Sequence, residues 1–148
     1  VGQLKELQDG FRAERRHTFT MGAELGNLSG GGQRRWTLSA PEKTPEIVAS
    51  VLASAEDVAL PSIRRFAHLD AILDALSDNG PSSWLHAPIH DYRCRSAVAL
   101  AYTLEKPGDF IETLIERSAA FLGSRNDPAL ERFLAFARRI RGARKPAG

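Results

Sequence analysis

The spacing of apolar residues along this chain changes once, near Ala40. Before it, in HTFTMGAEL, Phe19, Met21, Ala23 and Leu25 alternate with Thr18, Thr20, Gly22 and Glu24. A period of two predicts a half-buried strand. RRWTLS continues it, with Trp36 and Leu38 on one face of a second strand. The connection GNLSGGGQ holds five Gly or Asn, residues that enter positive φ at low cost, and it predicts a hairpin. The opening VGQLKELQDG fits either an earlier strand or the end of a helix.

After Ala40 the period becomes helical. Thr44-Pro45-Glu46 supplies a hydroxyl cap, a first-turn proline and an acid, and Ile47, Val48, Val51, Leu52 and Ala55 follow at helical spacing. Pro61 is expected to interrupt this helix. A second stripe, Leu69, Ile72, Leu73 and Leu76, ends in SDNGPSS, a cluster of loop formers. The third helix reads DYRCRSAVALAYT, with Ala97, Val98, Ala101 and Leu104 inward, stopped by Pro107 and Gly108. Asp109 and Glu112 suggest a capping box for the fourth, FIETLIERSAAFLG. Asp127-Pro128 opens the fifth, ALERFLAFARRIRG, which Gly142 closes.

Strands followed by helices predict an α+β fold: a small N-terminal antiparallel sheet of two to three strands, covered by about five helices. Such a sheet is not stable alone, so the helices must cover its apolar face. The expected organisation is one domain over residues 1–142 and a basic tail over 143–148.

Composition adds limits. A chain of 148 residues with 43% hydrophobic and 26% charged content can bury a core without metal or disulfides. Its apolar runs fall short of the roughly 18 residues that span a membrane. VGQLKELQDG lacks a signal-peptide pattern, and the single cysteine, Cys94, fits a reducing compartment. A cytoplasmic protein is the expectation. The net charge of +2 is uneven: residues 41–137 carry nine basic and fourteen acidic residues, while 138–148 carry five basic and none acidic. The acidic middle would repel phosphate.

Leu28-Ser29-Gly30-Gly31-Gly32-Gln33 looks like the signature of an ATP-binding cassette. The other parts of that engine are missing from the sequence. No G-x-x-x-x-G-K-[ST] loop occurs, and no apolar strand ends in a metal-binding acid. The run carries one glycine too many and is followed by strand-like text, so its glycines are read as a turn.

His86, His90 and Cys94 form H-x-x-x-H-x-x-x-C, with Asp91 beside them. On one continuous helix this spacing would stack zinc ligands on one face. Pro88 argues against that helix, leaving only His90 and Cys94 on a common face, with Cys94 semi-buried and His86 in a loop. Cys94 beside Arg93 and Arg95 near a helix start has the surroundings of a reactive thiol, but no oxyanion loop or orienting third residue accompanies it. Asp70 and Asp74 read as a solvated helix face. Arg12, Arg15, Arg34 and Arg35 near Phe11, Phe19 and Trp36 could form a single-strand nucleic-acid surface. No catalytic set and no cofactor follow from these patterns.

FTMGAELG, WTLS, VLASAEDVALPSIRRFAHLDAILDAL and AVALAYTLEKPG together resemble the bacterial domain of unknown function 4304 family, over about residues 10–105. The resemblance implies a strand, a Trp-bearing strand, a helix ending in an Ala-Leu-Pro segment, a short Phe-containing helix and an Ala-Leu-Ala-Tyr helix. It makes Trp36, Leu60, Pro61, Phe66 and Tyr102 scaffold positions. Family members carry a preceding helix and a further strand, so Val1 would be an internal beginning. The family implies no reaction. The expected function is a non-catalytic protein-interaction or adaptor/neutralising module. The alternative is a nucleic-acid-binding module that uses the arginines around the hairpin.

Overall fold

The computed structural model describes residues 23, 25–30, 36–37 and 41–143. Its elements are α1 (Leu25–Leu28), a 3-10 turn (Pro41–Lys43), α2 (Thr44–Ser54), a π turn (Ala55–Ala59), α3 (Leu60–Arg65), α4 (Leu69–Ser77), α5 (Pro81–His86), α6 (His90–Thr103), α7 (Gly108–Ser124) and α8 (Leu130–Ala143). Among the described residues there is no strand. The α+β expectation, with its small N-terminal sheet, is therefore corrected to a helical architecture.

Leu25, expected to end a strand, opens a helical turn instead. The Ser29 N–H donates to the Leu25 carbonyl (3.2 Å), the Ser29 hydroxyl donates to the Gly26 carbonyl (2.9 Å), and Gly30 sits at φ 74°. Over so short a run, alternation does not separate strand from helix, and local hydrogen bonds need no distant partner. Trp36 does not face a sheet; its indole N–H donates to the Ser50 hydroxyl at 3.3 Å. The remainder of both expected strands lies outside the described residues.

Pro61 does not end its helix. The Leu60 N–H reaches back five residues to the Ala55 carbonyl, the bond of a π turn. A helical proline clashes with the carbonyl four residues back and offers no N–H. Widening the turn by one residue relieves both problems and lets the chain continue into α3. Nor is Thr44 the cap. The 3-10 turn leads straight into α2, with Lys43 in helical conformation at the cap position.

The core gathers around α6. Ala97, Val98 and Ala101 are completely buried there, and their small side chains let neighbouring helices come close. Leu73 and Leu76 reach in from α4, Ile111, Leu114, Ile115 and Leu122 from α7, and Phe133, Phe136, Ala137 and Ile140 from α8. Asp91, Arg93, Cys94 and Ser96 of α6 are buried as well. A helix surrounded on several sides has no wet face on which to segregate polar residues.

The helix ends follow hydrogen-bond accounting. Lys106 N–H bonds the Ala101 carbonyl and Glu105 N–H the Tyr102 carbonyl, with Glu105 at φ 53°. Asp127 and Asn126 repeat this on the Leu122 and Gly123 carbonyls, with Asn126 at φ 51°. Both are Schellman ends without glycine. The expected capping box at α7 does not form. Asp109 accepts the Phe110 N–H, and Glu112 instead takes Arg141 at 2.6 Å. Gly142 lies inside α8 rather than closing it.

SDNGPSS is only partly a loop, because Pro81 begins α5. Six residues are too few to carry a periodic signal, so a start proline was indistinguishable from a breaker. Of the five scaffold positions the family resemblance implies, Tyr102 packs on the core and donates to the Ala143 carbonyl at 3.2 Å. Trp36 and Phe66 are half-buried, whereas Leu60 and Pro61 are exposed.

Candidate functional site

The structure places His86 on a different helix from His90 and Cys94. His86 is the last residue of α5 rather than a loop residue, and its ring meets Phe66 edge-on at 4.8 Å. His90 begins α6 beyond Pro88; its ring lies 5.0 Å from Phe121 and 5.9 Å from Trp84, with Nδ1 3.6 Å from Asp127 Oδ2. Cys94 is in the core. Asp91 already accepts Arg95 at 2.7 Å and meets Arg132 at 3.5 Å. Among the described residues, no group of three or more His, Cys, Asp or Glu is placed to hold a metal ion. Burial pushes the Cys94 thiol up from its ordinary pKa, against the opposing pull of Arg93. That is the direction of an inert thiol, since the nucleophile is the thiolate.

A cluster that sequence reading missed surrounds Phe121. The guanidinium carbons of Arg93 and Arg125 lie 4.9 and 5.0 Å from that ring, and Arg125 also lies 4.7 Å from Trp84. Two cations on one ring, with His90 at its edge, form a cation–π stack joining α5, α6 and α7. Arg93 is fully buried. It donates to Asn79 Oδ1 at 2.9 Å and Ser83 Oγ at 3.3 Å, while its Nε finds no acceptor among the described residues. Burial lowers its pKa, although arginine stays charged in proteins. The helical spacing of Arg93, Ala97 and Ala101 is the sequence signal that places a guanidinium on the core face.

Two clefts flank Asp74 and Asp78. One, of about 260 Å³, is lined by Arg65, Asp74, Asp78, Ser83 and His86 with two alanines. The other, of about 280 Å³, has Phe110, Thr113 and Arg117 on its far wall. In the first of these clefts Ser83 and His86 share the lining with the two aspartates. Ser83 Oγ donates to the Gly80 carbonyl at 2.6 Å and accepts Arg93, so its hydroxyl is committed. Asp70 is separated from Asp74 in role, since it pairs with Lys106 Nζ at 2.6 Å.

Both histidines are held below 6.5, His86 by burial and then Arg65, His90 by burial and then Arg93 and Arg125. The unfolded chain therefore binds protons more readily than the folded one below about pH 6.5, and stability falls as pH drops through that value. Urea titrations from about pH 7.5 to 5.5 should show this loss. His86→Phe keeps the ring contact and should reduce the slope; an unchanged slope would remove His86 from the account.

The described surface also carries an apolar helix face. Leu52 is 56% and Ile63 66% exposed, and Val48, Val51 and Leu60 are exposed beside them. Among the described residues no helix is long and apolar enough to cross a membrane. Arg12, Arg15, Arg34 and Arg35 lie outside the described residues. No family model matches the chain, and no curated protein or solved structure matches it either.

Proposed function

We propose that this chain is a non-catalytic protein-interaction module, working in the cytoplasm, that meets its partner through the apolar face of residues 48–63. The observation that carries this reading is the exposure of Val48, Val51, Leu52, Leu60 and Ile63 on one helical segment. Scattered apolar residues need no explanation, but a contiguous apolar stripe on a helix is a common docking element. The committed hydroxyl of Ser83 and the raised thiol pKa of Cys94 support a binding role over chemistry. A single, core-buried cysteine suits a reducing compartment.

Native mass spectrometry of gently purified protein tests the reading. Wild type should carry a second protein mass. A Leu52→Gln/Ile63→Gln variant should lose it while its unfolding free energy changes by no more than about 0.5 kcal/mol per site, as for exposed positions. A variant destabilised by about 2 kcal/mol or more per site would mean that the face is core in solution, and the interaction reading would fall.

A further inference from the structure

The cleft of about 260 Å³ draws its lining from α3, α4 and α5. His86 is only 9% exposed there. Its ring meets Phe66 edge-on at 4.8 Å, but neither ring nitrogen has a hydrogen-bond partner among the described residues. A buried polar group left in that state is costly unless water or a ligand completes it. Burial and Arg65 hold the imidazole below its ordinary pKa, so near pH 7 it is neutral and offers one N–H donor and one acceptor.

The same cleft carries charge of both signs. Arg65 contributes a guanidinium, and Asp74 and Asp78 contribute carboxylates. These opposite charges do not close on one another: among the described residues neither Arg65 nor Asp74 forms an ion pair. Asp78 is the more engaged carboxylate. Its Oδ1 accepts the Gly80 N–H at 2.9 Å, and it faces the charge of the buried Arg93. Asp74 and Arg65 are left open to a ligand.

That lining selects by charge. A free anion would meet Arg65 but also two carboxylates, whose repulsion offsets the gain. A divalent cation would want more ligands than the cleft supplies, since among the described residues no group of three or more His, Cys, Asp or Glu is placed to hold one. A neutral polyol would answer the hydrogen bonds but not the two signs of charge. A small molecule with both charges answers all three.

We infer that this cleft binds a small zwitterion of the α-amino acid class. Its ammonium lies on Asp74 in the field of Asp78, and its carboxylate on Arg65 and the His86 N–H. The apolar part of the lining is two alanines, Ala71 and Ala75, so the ligand's side chain is short. The volume is below the roughly 300–1,000 Å³ of pockets for drug-sized ligands. Arg65 and Asp74 are exposed, so water screens both contacts and a dissociation constant on the order of 1 mM is expected. None of these residues belongs to the apolar stripe of 48–63, so the site stands or falls apart from the docking face.

Titration of the 15N-labelled chain at constant ionic strength, followed by amide shifts in two-dimensional NMR, tests this with three probes. L-alanine should move the amides of residues 65, 71–78 and 83–86 along one saturable curve. L-alaninamide keeps only the ammonium and N-acetyl-L-alanine only the carboxylate; each should bind about fivefold more weakly. Arg65→Gln and Asp74→Asn change exposed side chains and should leave the fold intact. Arg65→Gln should erase the advantage of L-alanine over L-alaninamide, and Asp74→Asn its advantage over N-acetyl-L-alanine. A merely structural change would weaken all three probes alike.

Equal binding of L-alanine and L-alaninamide to wild type removes the carboxylate contact and overturns the zwitterion assignment. Equal binding of L-alanine and N-acetyl-L-alanine removes the ammonium contact and does the same. L-alanine shifts that do not saturate at tens of millimolar, or that centre away from the cleft, overturn the site itself.

Discussion

Phe133→Ala is expected to lower the unfolding free energy by about 3–5 kcal/mol. Phe133 is completely buried on α8, tilted against Phe136 at 6.4 Å, inside the cluster that α4, α6, α7 and α8 share. Truncation removes transfer free energy and leaves a hole that a ring of alanines on α6 cannot fill. Ala97 and Ala101 have no longer rotamer with which to reach across. Against a typical total of about 5–15 kcal/mol, this change brings the fold to the edge of stability. Urea denaturation should show a much lower midpoint. A loss below about 1 kcal/mol would mean that the helices around α6 are not packed as described.

The second large effect is at Arg93, where size and charge can be separated. Arg93→Ala should cost about 3–4 kcal/mol, because it empties the space beside Phe121 and leaves Asn79 Oδ1 without its 2.9 Å donor. Arg93→Met fills much of the same volume and removes a guanidinium whose acceptors, Asn79 and Ser83, are neutral. Taking a cation out of water to meet neutral hydrogen-bond partners is expensive, and the nearby Asp78 carboxylate offsets that cost only in part, since burial still lowers the Arg93 pKa; Met should therefore be tolerated better than Ala, at about 1–2 kcal/mol. Arg93→Lys keeps the charge but not the planar fork that spans Asn79 and Ser83, and should rank below Met. Chemical denaturation of the three variants checks this order. Lys above Met would mean that the charge itself is what the site needs.

The helical half of the chain was legible wherever a period ran for several turns. Leu69 to Leu76, the alanines of α6 and the stripes of α7 and α8 all placed their helices, with ends off by a few residues. What failed did so for local reasons. The alternation through Ala23 and Leu25 was too short to distinguish a strand from a helical turn. The sequence predicts a stop at Pro61 because it does not announce a π turn. SDNGPSS predicts loop through Pro81 because a six-residue helix has no period. The candidate site was legible only in part. Pro88 separates His86 from the helix of His90 and Cys94, and the helical spacing of Arg93 with Ala97 and Ala101 sets a guanidinium among core alanines. The stripe is visible in the sequence as Val48, Val51 and Leu52, where the α+β expectation sets the helices over a sheet. Only the structure places those side chains in solvent.

The most direct test of the central claim is hydrogen–deuterium exchange on dilute protein, alone and with the co-purifying partner added, followed on peptides from 44–65 and from the α6 and α8 helices. In dilute protein the 44–65 amides should exchange much faster than those of α6 and α8, as a helix with an open apolar face and few buried contacts must. With the partner added the same amides should slow while the α6 and α8 rates stay put. Slow exchange of 44–65 in the dilute protein without its partner would contradict the account, because the stripe would then be covered within a single chain and could not be the surface through which this protein meets another.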